Sequence, residues 1–162
     1  MQINPLPNDP TSPDCFQQWE LELFQTFENT ILNTVNYYLW RTNKKSSFLF
    51  ALELFFENGK TLLLSSGEDS EQIQVITPES LTRTAKKLQL IHDEALIQRI
   101  AANIQPLWRD LIGTALQGIR LSIHAETGLY RNDAMLLEFD GTRILLELSE
   151  KDGLLLGQDN FE

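Results

Sequence analysis

The chain has 162 residues, of which 42% are hydrophobic and 22% charged, and its formal net charge at pH 7 is −10. A chain of this length and composition folds as one domain, hiding about 70% of the surface it exposes when unfolded, and is unlike a disordered sequence. Cys15 is the only cysteine, which excludes an intrachain disulfide and any zinc site built from several thiolates, while the surplus of acid disfavours nucleic acid as a partner.

Residues 1–13 hold four prolines, no basic residue and no apolar run, and read as an extended leader without the parts of a secretory signal. Residues 14–162 read as the single domain. No apolar stretch reaches the 18 or more residues that a membrane span needs, and Glu53 interrupts the longest candidate, Phe48 to Phe56. No membrane association is expected, and a reducing cytoplasmic setting fits best.

Asp14 to Asn29 reads as a helix with Phe16, Trp19, Leu23, Phe24 and Phe27 on one side, although Trp19-Glu-Leu-Glu-Leu23 alternates like a strand. Trp19 and Trp108 are expected in the core. Strands follow near Thr34 to Arg41, Phe48 to Phe56, Lys60 to Ser66 and Gln72 to Ile76. Thr77 before Pro78 marks a helix start, a capping residue ahead of a proline at the first helical position. Leu81, Ala85, Leu88 and Ile91 form its apolar stripe. A second helix is predicted from Asp93, with Ile97, Ile100, Ala101 and Ile104 at helical spacing, ending before Pro106. Four more strands are expected near Gly118 to His124, Ala134 to Phe139, Arg143 to Ser149 and Leu154 to Gly157.

The two halves resemble each other. Ala51 to Ser65 can be laid over Ala134 to Leu148, and Ile31 to Val35 over Leu111 to Ala115, at a constant spacing of 80 to 83 residues. Turn chemistry sets each hairpin register. Asp140-Gly141 is a two-residue type I′ signal that pairs Phe139 with Thr142, Leu137 with Ile144 and Met135 with Leu146, and puts Glu138 opposite Arg143. In the first copy a three-residue loop, Glu57-Asn58-Gly59, with Gly59 left-handed, pairs Leu54 with Leu62 and Leu52 with Leu64. The predicted fold is α+β: two duplicated antiparallel β-hairpin units, about 30–77 and 110–157, related by a pseudo-twofold. Helices over 78–105 join them and cover the sheet. The unit of apolar strand, Asp/Asn-Gly and apolar strand has the general look of small bacterial proteins and points to no named family.

Chemical motifs are sparse. His124-Ala125-Glu126 has the His-x-Glu spacing of zinc deaminases, but the Pro-Cys-x-x-Cys partner is missing, so it reads as a turn. His92-Asp93-Glu94 reads as a helix junction with Asp93 as cap, and a joint site of His92, His124 and Asp133 requires remote segments to meet. Cys15 lacks the basic neighbours that activate a thiol. Ser65 to Ser70 lacks the Walker lysine and the EF-hand spacing, and reads as a turn. No catalytic residue, metal or cofactor is expected.

Acid concentrates on the hairpin units: net −4 over Phe48 to Thr77 and −5 over Thr114 to Glu162, against +1 over Pro78 to Gly113. A non-catalytic module that binds a basic partner protein, as an immunity protein neutralises a toxin, is therefore the leading expectation. Tyr38, Trp40, Glu68, Asp69 and Glu71 are its expected contacts, with the two aromatics as anchors. The alternatives are a small-molecule-binding or hydrolytic domain with its site between the halves, and self-assembly as a homodimer through an exposed edge strand.

Overall fold

The structure is a computed structural model that describes residues 14–41, 47–67, 70–91 and 96–159. The leader, His92 and Asp93, and Glu68 and Asp69 lie outside the described residues. The elements in chain order are α1 (Gln18–Gln25), β1 (Thr30–Arg41), β2 (Ser47–Phe56), β3 (Thr61–Ser65), β4 (Gln74–Val75), α2 (Pro78–Ile91), β5 (Leu96–Ala101), α3 (Pro106–Arg109), β6 (Ala115–Leu116), β7 (Gly118–Arg120), β8 (Ala134–Phe139), β9 (Thr142–Ser149) and β10 (Gly153–Gln158). The architecture is α+β, dominated by one curled mixed sheet.

Both hairpin registers follow the turn chemistry. Leu52 pairs with Leu64 and Leu54 with Leu62 across β2 and β3, and Gly59 takes φ +88° in the turn. Across β8 and β9, Met135 pairs with Leu146, Leu137 with Ile144, Glu138 with Arg143 and Phe139 with Thr142. Around these hairpins the sheet runs β4-β3-β2-β10-β9-β8-β7, with β1 on the other edge of β2. β6 pairs with β1 and β7 with β8, and Gln117 alone separates them. The ladder therefore closes on itself through β1, β2, β10, β9, β8 and the β6–β7 segment. Its thinnest seam is β2 to β10, where Gly153 is the sole residue in register with Leu49; the Leu49 N–H adds a hydrogen bond to the Asp152 carbonyl at 2.8 Å.

The inward positions of the curled sheet supply the main core, including Leu52, Leu54, Leu62, Met135, Leu137 and Ile144, all almost fully buried. Period-two alternation places them on one face of each strand. Phe16, Phe24 and Phe27 around α1 and Trp108 of α3 close this core. On the opposite face of β2 and β3 a second cluster of Phe50, Ala51 and Leu63 takes Leu81 of α2. The start of α2 is capped as predicted: the Thr77 hydroxyl accepts the Ser80 N–H at 3.1 Å.

Four sequence expectations are corrected. The segment read as a helix from Asp93 holds strand β5, paired antiparallel along β1 from Asn36–Ala101 to Arg41–Leu96. β1 is 12 residues long and offers an open edge beyond β2, and pairing with it outweighs the modest helical preference of an isoleucine-rich stretch. The 78–105 connector accordingly holds one helix and a strand. Trp19 is 48% exposed rather than core. α1 is shorter than expected and turns Glu20 and Phe24 inward; Phe16 and Phe27 on either side of it are buried and Leu23 packs against the core, so of the expected set Trp19 alone faces outward. Ile91, at the end of α2, is 60% exposed, while Leu81 and Leu88 are buried. The strand expected to reach His124 ends at Arg120, with a single further bridge between Ile123 and Tyr130.

Candidate protein-binding surface

β1 carries Val35 and Tyr37 toward the main core and Asn36 and Tyr38 toward the opposite face, as strand alternation requires. Tyr37 is held by the buried Trp108 indole, whose Nε1–H donates to the tyrosine oxygen at 2.7 Å; burial pushes its phenol up, the indole hydrogen bond opposing. Tyr38 and Trp40 are half-buried. Both pack against the Phe50–Ala51–Leu63–Leu81 cluster, and Trp40 meets Phe48 edge-on with ring centroids 5.6 Å apart. Tyr38 and Leu39 pair with Ala51 and Leu49, so the register shift here leaves Phe50 as a bulge on β2.

Next to these aromatics sits Glu53 of β2, opposite Asn36 in the ladder. Its Oε1 accepts Asn36 Nδ2 at 2.9 Å and Arg99 Nη2 at 3.3 Å, and its Oε2 accepts the Tyr38 hydroxyl at 3.4 Å. Burial, followed by the Glu53 charge, pushes the Tyr38 phenol up, which keeps it a proton donor at neutral pH. The Glu53 side chain is 15% exposed, whereas Arg99 is 61% exposed. Two donors thus fix the carboxylate from within the sheet, and an exposed cation completes it. Phe55, one step along the same face, is 38% exposed.

The ladder aligns Tyr38, Ala51 and Ser65 across three strands. The loop after Ser66 therefore leaves the sheet at the end that carries Tyr38 and Trp40. Glu71 in that loop is exposed. The structure so brings Tyr38 and Trp40 together with Glu53 and Arg99, two residues that sequence reasoning passed over. The signal for Glu53 was present, as a lone acid in an apolar strand; Arg99 was hidden by the mistaken helix.

A second charged group lies across the molecule. Glu138 of β8 accepts Arg120 Nε at 3.0 Å and Arg143 Nε at 3.3 Å, one on each carboxylate oxygen. Two shallow hollows of about 300 and 460 Å³ adjoin it, and both are lined by Arg120 and Asp159. A third, of about 160 Å³, lies between α1 and the Ile119–Tyr130 region.

The remaining titratable groups are tied to structure. Glu20 is 5% exposed and accepts the backbone N–H groups of Gln17 and Val75, each at 2.9 Å, fastening α1 to β4. Burial pushes its carboxyl up, opposed by those two hydrogen bonds. Cys15 is buried in a bridge with Arg131, and burial together with Asp14 pushes its thiol up, the reverse of a reactive thiolate. His124 sits at the turn that was expected, its Nδ1 accepting the Glu126 N–H at 3.3 Å. Among the described residues no three His, Cys, Asp or Glu side chains converge as metal ligands, and no helix is long and apolar enough to cross a membrane. No family model, curated protein or solved structure matches the chain.

Proposed function

We propose that this chain is a non-catalytic protein-binding module that takes a basic partner on the outer face of β5, β1 and β2. The observation that carries the reading is the pairing of half-buried aromatics with a fixed carboxylate whose own cation is exposed. Tyr38 and Trp40 supply rigid apolar area at low entropic cost, as interface anchors do. Glu53, held by Asn36 and Tyr38, accepts a lysine or arginine of the partner in place of Arg99; an exposed pair of that kind contributes about 0–1 kcal/mol and is readily exchanged. The acids Glu68, Asp69 and Glu71, the last of them exposed, add negative charge that steers a basic surface. In its most specific form the reading is immunity-like: neutralisation of a basic toxin or nuclease.

The matching order of elements and hairpin registers in the two halves favours descent by duplication, with the second unit having diverged in its surface.

The test uses the full chain as bait in a lysate of its own cells, compared with a variant carrying Glu68→Lys, Asp69→Lys and Glu71→Lys. A basic protein retained by the wild type at low salt, released by salt and lost with the variant supports the reading. Failure to recover a basic protein at any salt concentration overturns it. Tyr38 and Trp40 also pack against the cluster of Phe50, Ala51, Leu63 and Leu81, so their replacement by Ala lowers the thermal midpoint as well as binding, and the acidic triple is the cleaner probe.

A further inference from the structure

The outer face of β7 to β10 carries three leucines, Leu136 and Leu145 half-buried and Leu155 exposed, while the main helix contacts of the sheet fall at its ends, α1 at β7 and α2 at β5. Cross-strand pairing lays its residues in rows. One row has Glu138 beside Arg143, with Gly118 and Asp159 at its two ends. The next has Leu136 beside Leu145, with Arg120 and Gly157 at its ends. Below them Leu155, 47% exposed, lies beside Glu147. Leucines at outward positions of adjacent strands break the usual inward-apolar, outward-polar alternation and call for a cover.

We propose that this face is the interface of a homodimer, formed by packing the β7–β10 faces of two copies about a twofold axis that runs along the strands between β8 and β9. Charge complementarity selects the occupant. Such an axis keeps each row facing itself and exchanges its two sides. Leu136 then faces Leu145 of the second copy, and Glu138 faces its Arg143, so the carboxylate already shared between Arg120 and Arg143 gains a further cation from the other chain. Arg120, 65% exposed, lies over Gly157 of the second copy, which has no side chain, and reaches toward Asp159 of that copy. The reciprocal contacts repeat all of these. The two hollows, each lined by Arg120 and Asp159, are the space into which the long side chains of the second copy enter. Aligned strands in sheets about 10 Å apart match the ordinary geometry of face-to-face sheet packing. In the ladder circuit this face lies opposite β1 and β2, so the dimer presents two copies of the Tyr38–Glu53 surface and does not depend on what that surface binds.

The test is sedimentation equilibrium of the full chain over a wide concentration range. The wild type is expected to show a reversible monomer–dimer equilibrium. Arg120→Asp and Asp159→Arg each set like charges face to face at two symmetric positions and raise the dimer dissociation constant about tenfold or more. The double variant restores opposite charges and returns the constant to within about threefold of wild type. Leu145→Lys at the centre abolishes the dimer; if circular dichroism shows that this variant has not folded, the rim pair still decides. A wild type that is monomeric at every concentration overturns the proposal. So does a dimer that neither single rim variant weakens, which places the contact elsewhere, or one that folded single variants weaken and the double does not restore.

Discussion

Gly153 closes the ring of strands, and replacing it by alanine tests whether that closure matters to stability. Its φ of +81° is one that an L-residue adopts only at a cost of about 1–2 kcal/mol. A Cβ there also meets the Leu49 carbonyl oxygen at 2.3 Å, its carbon at 2.9 Å and the Phe48 ring at 3.0 Å. The nearest atoms are backbone, so relief requires that β2 and β10 move apart at the one place where they are in register. Forced overpacking of this kind costs about 1–3 kcal/mol. Gly153→Ala is therefore expected to lose about 2–5 kcal/mol, a large share of the ~5–15 kcal/mol that holds a domain of this size. Gly141 provides the control: its φ is +74°, and an added Cβ finds nothing within 4 Å, so Gly141→Ala costs the backbone strain alone, about 1–2 kcal/mol. Urea denaturation of wild type and both variants gives the difference directly. Equal losses in the two variants refute the claim that the β2–β10 seam is tight and structurally required.

Tyr37→Phe removes the acceptor of the buried Trp108 N–H and is expected to cost about 1–3 kcal/mol in the same assay. Glu20→Gln sets an amide NH₂ against a backbone N–H that the carboxylate now accepts, with a loss of about 1–3 kcal/mol. The folded-state pKa of Glu20 is raised, so its contribution is fully present below the unfolded value and is lost as pH rises through the folded one. The gap between wild type and Glu20→Gln therefore widens as pH falls from 7 toward 4, and a gap that stays constant with pH contradicts this. Thr77→Ala removes the cap of α2 and lowers stability by about 1 kcal/mol, measured by thermal or urea unfolding.

What sequence reasoning could reach was decided locally. Asp140-Gly141 and Glu57-Asn58-Gly59 dictate turn geometry within a few residues, and each turn fixes a register, so both hairpins were legible pair by pair. Trp108 and the Phe16, Phe24 and Phe27 set were legible from their size and apolar character. β5 was not, because Ile97, Ile100 and Ala101 satisfy a helical spacing, and only the open edge of β1, some 60 residues earlier, makes them a strand. Trp19 failed for a related reason: the inward position on α1 belongs to Glu20, whose burial depends on the remote Val75 N–H. The same limit applies to the surface. Tyr38 and Trp40 stood out as aromatics on a strand, but their company, Glu53 and Arg99, is assembled by β1 pairing on both edges. The Glu138–Arg143 pair was visible within its hairpin, whereas Arg120 enters through β7.

The binding account is tested most directly by measuring whether a basic protein from the same cells binds the full chain and protects its Tyr38–Glu53 face. Hydrogen exchange of the chain with and without the captured partner reads this residue by residue. The account predicts slowed exchange in β1, β2 and β5 around Tyr38, Glu53 and Arg99, with β8 and β9 unchanged. Protection confined to other strands, or no basic partner to add, contradicts it.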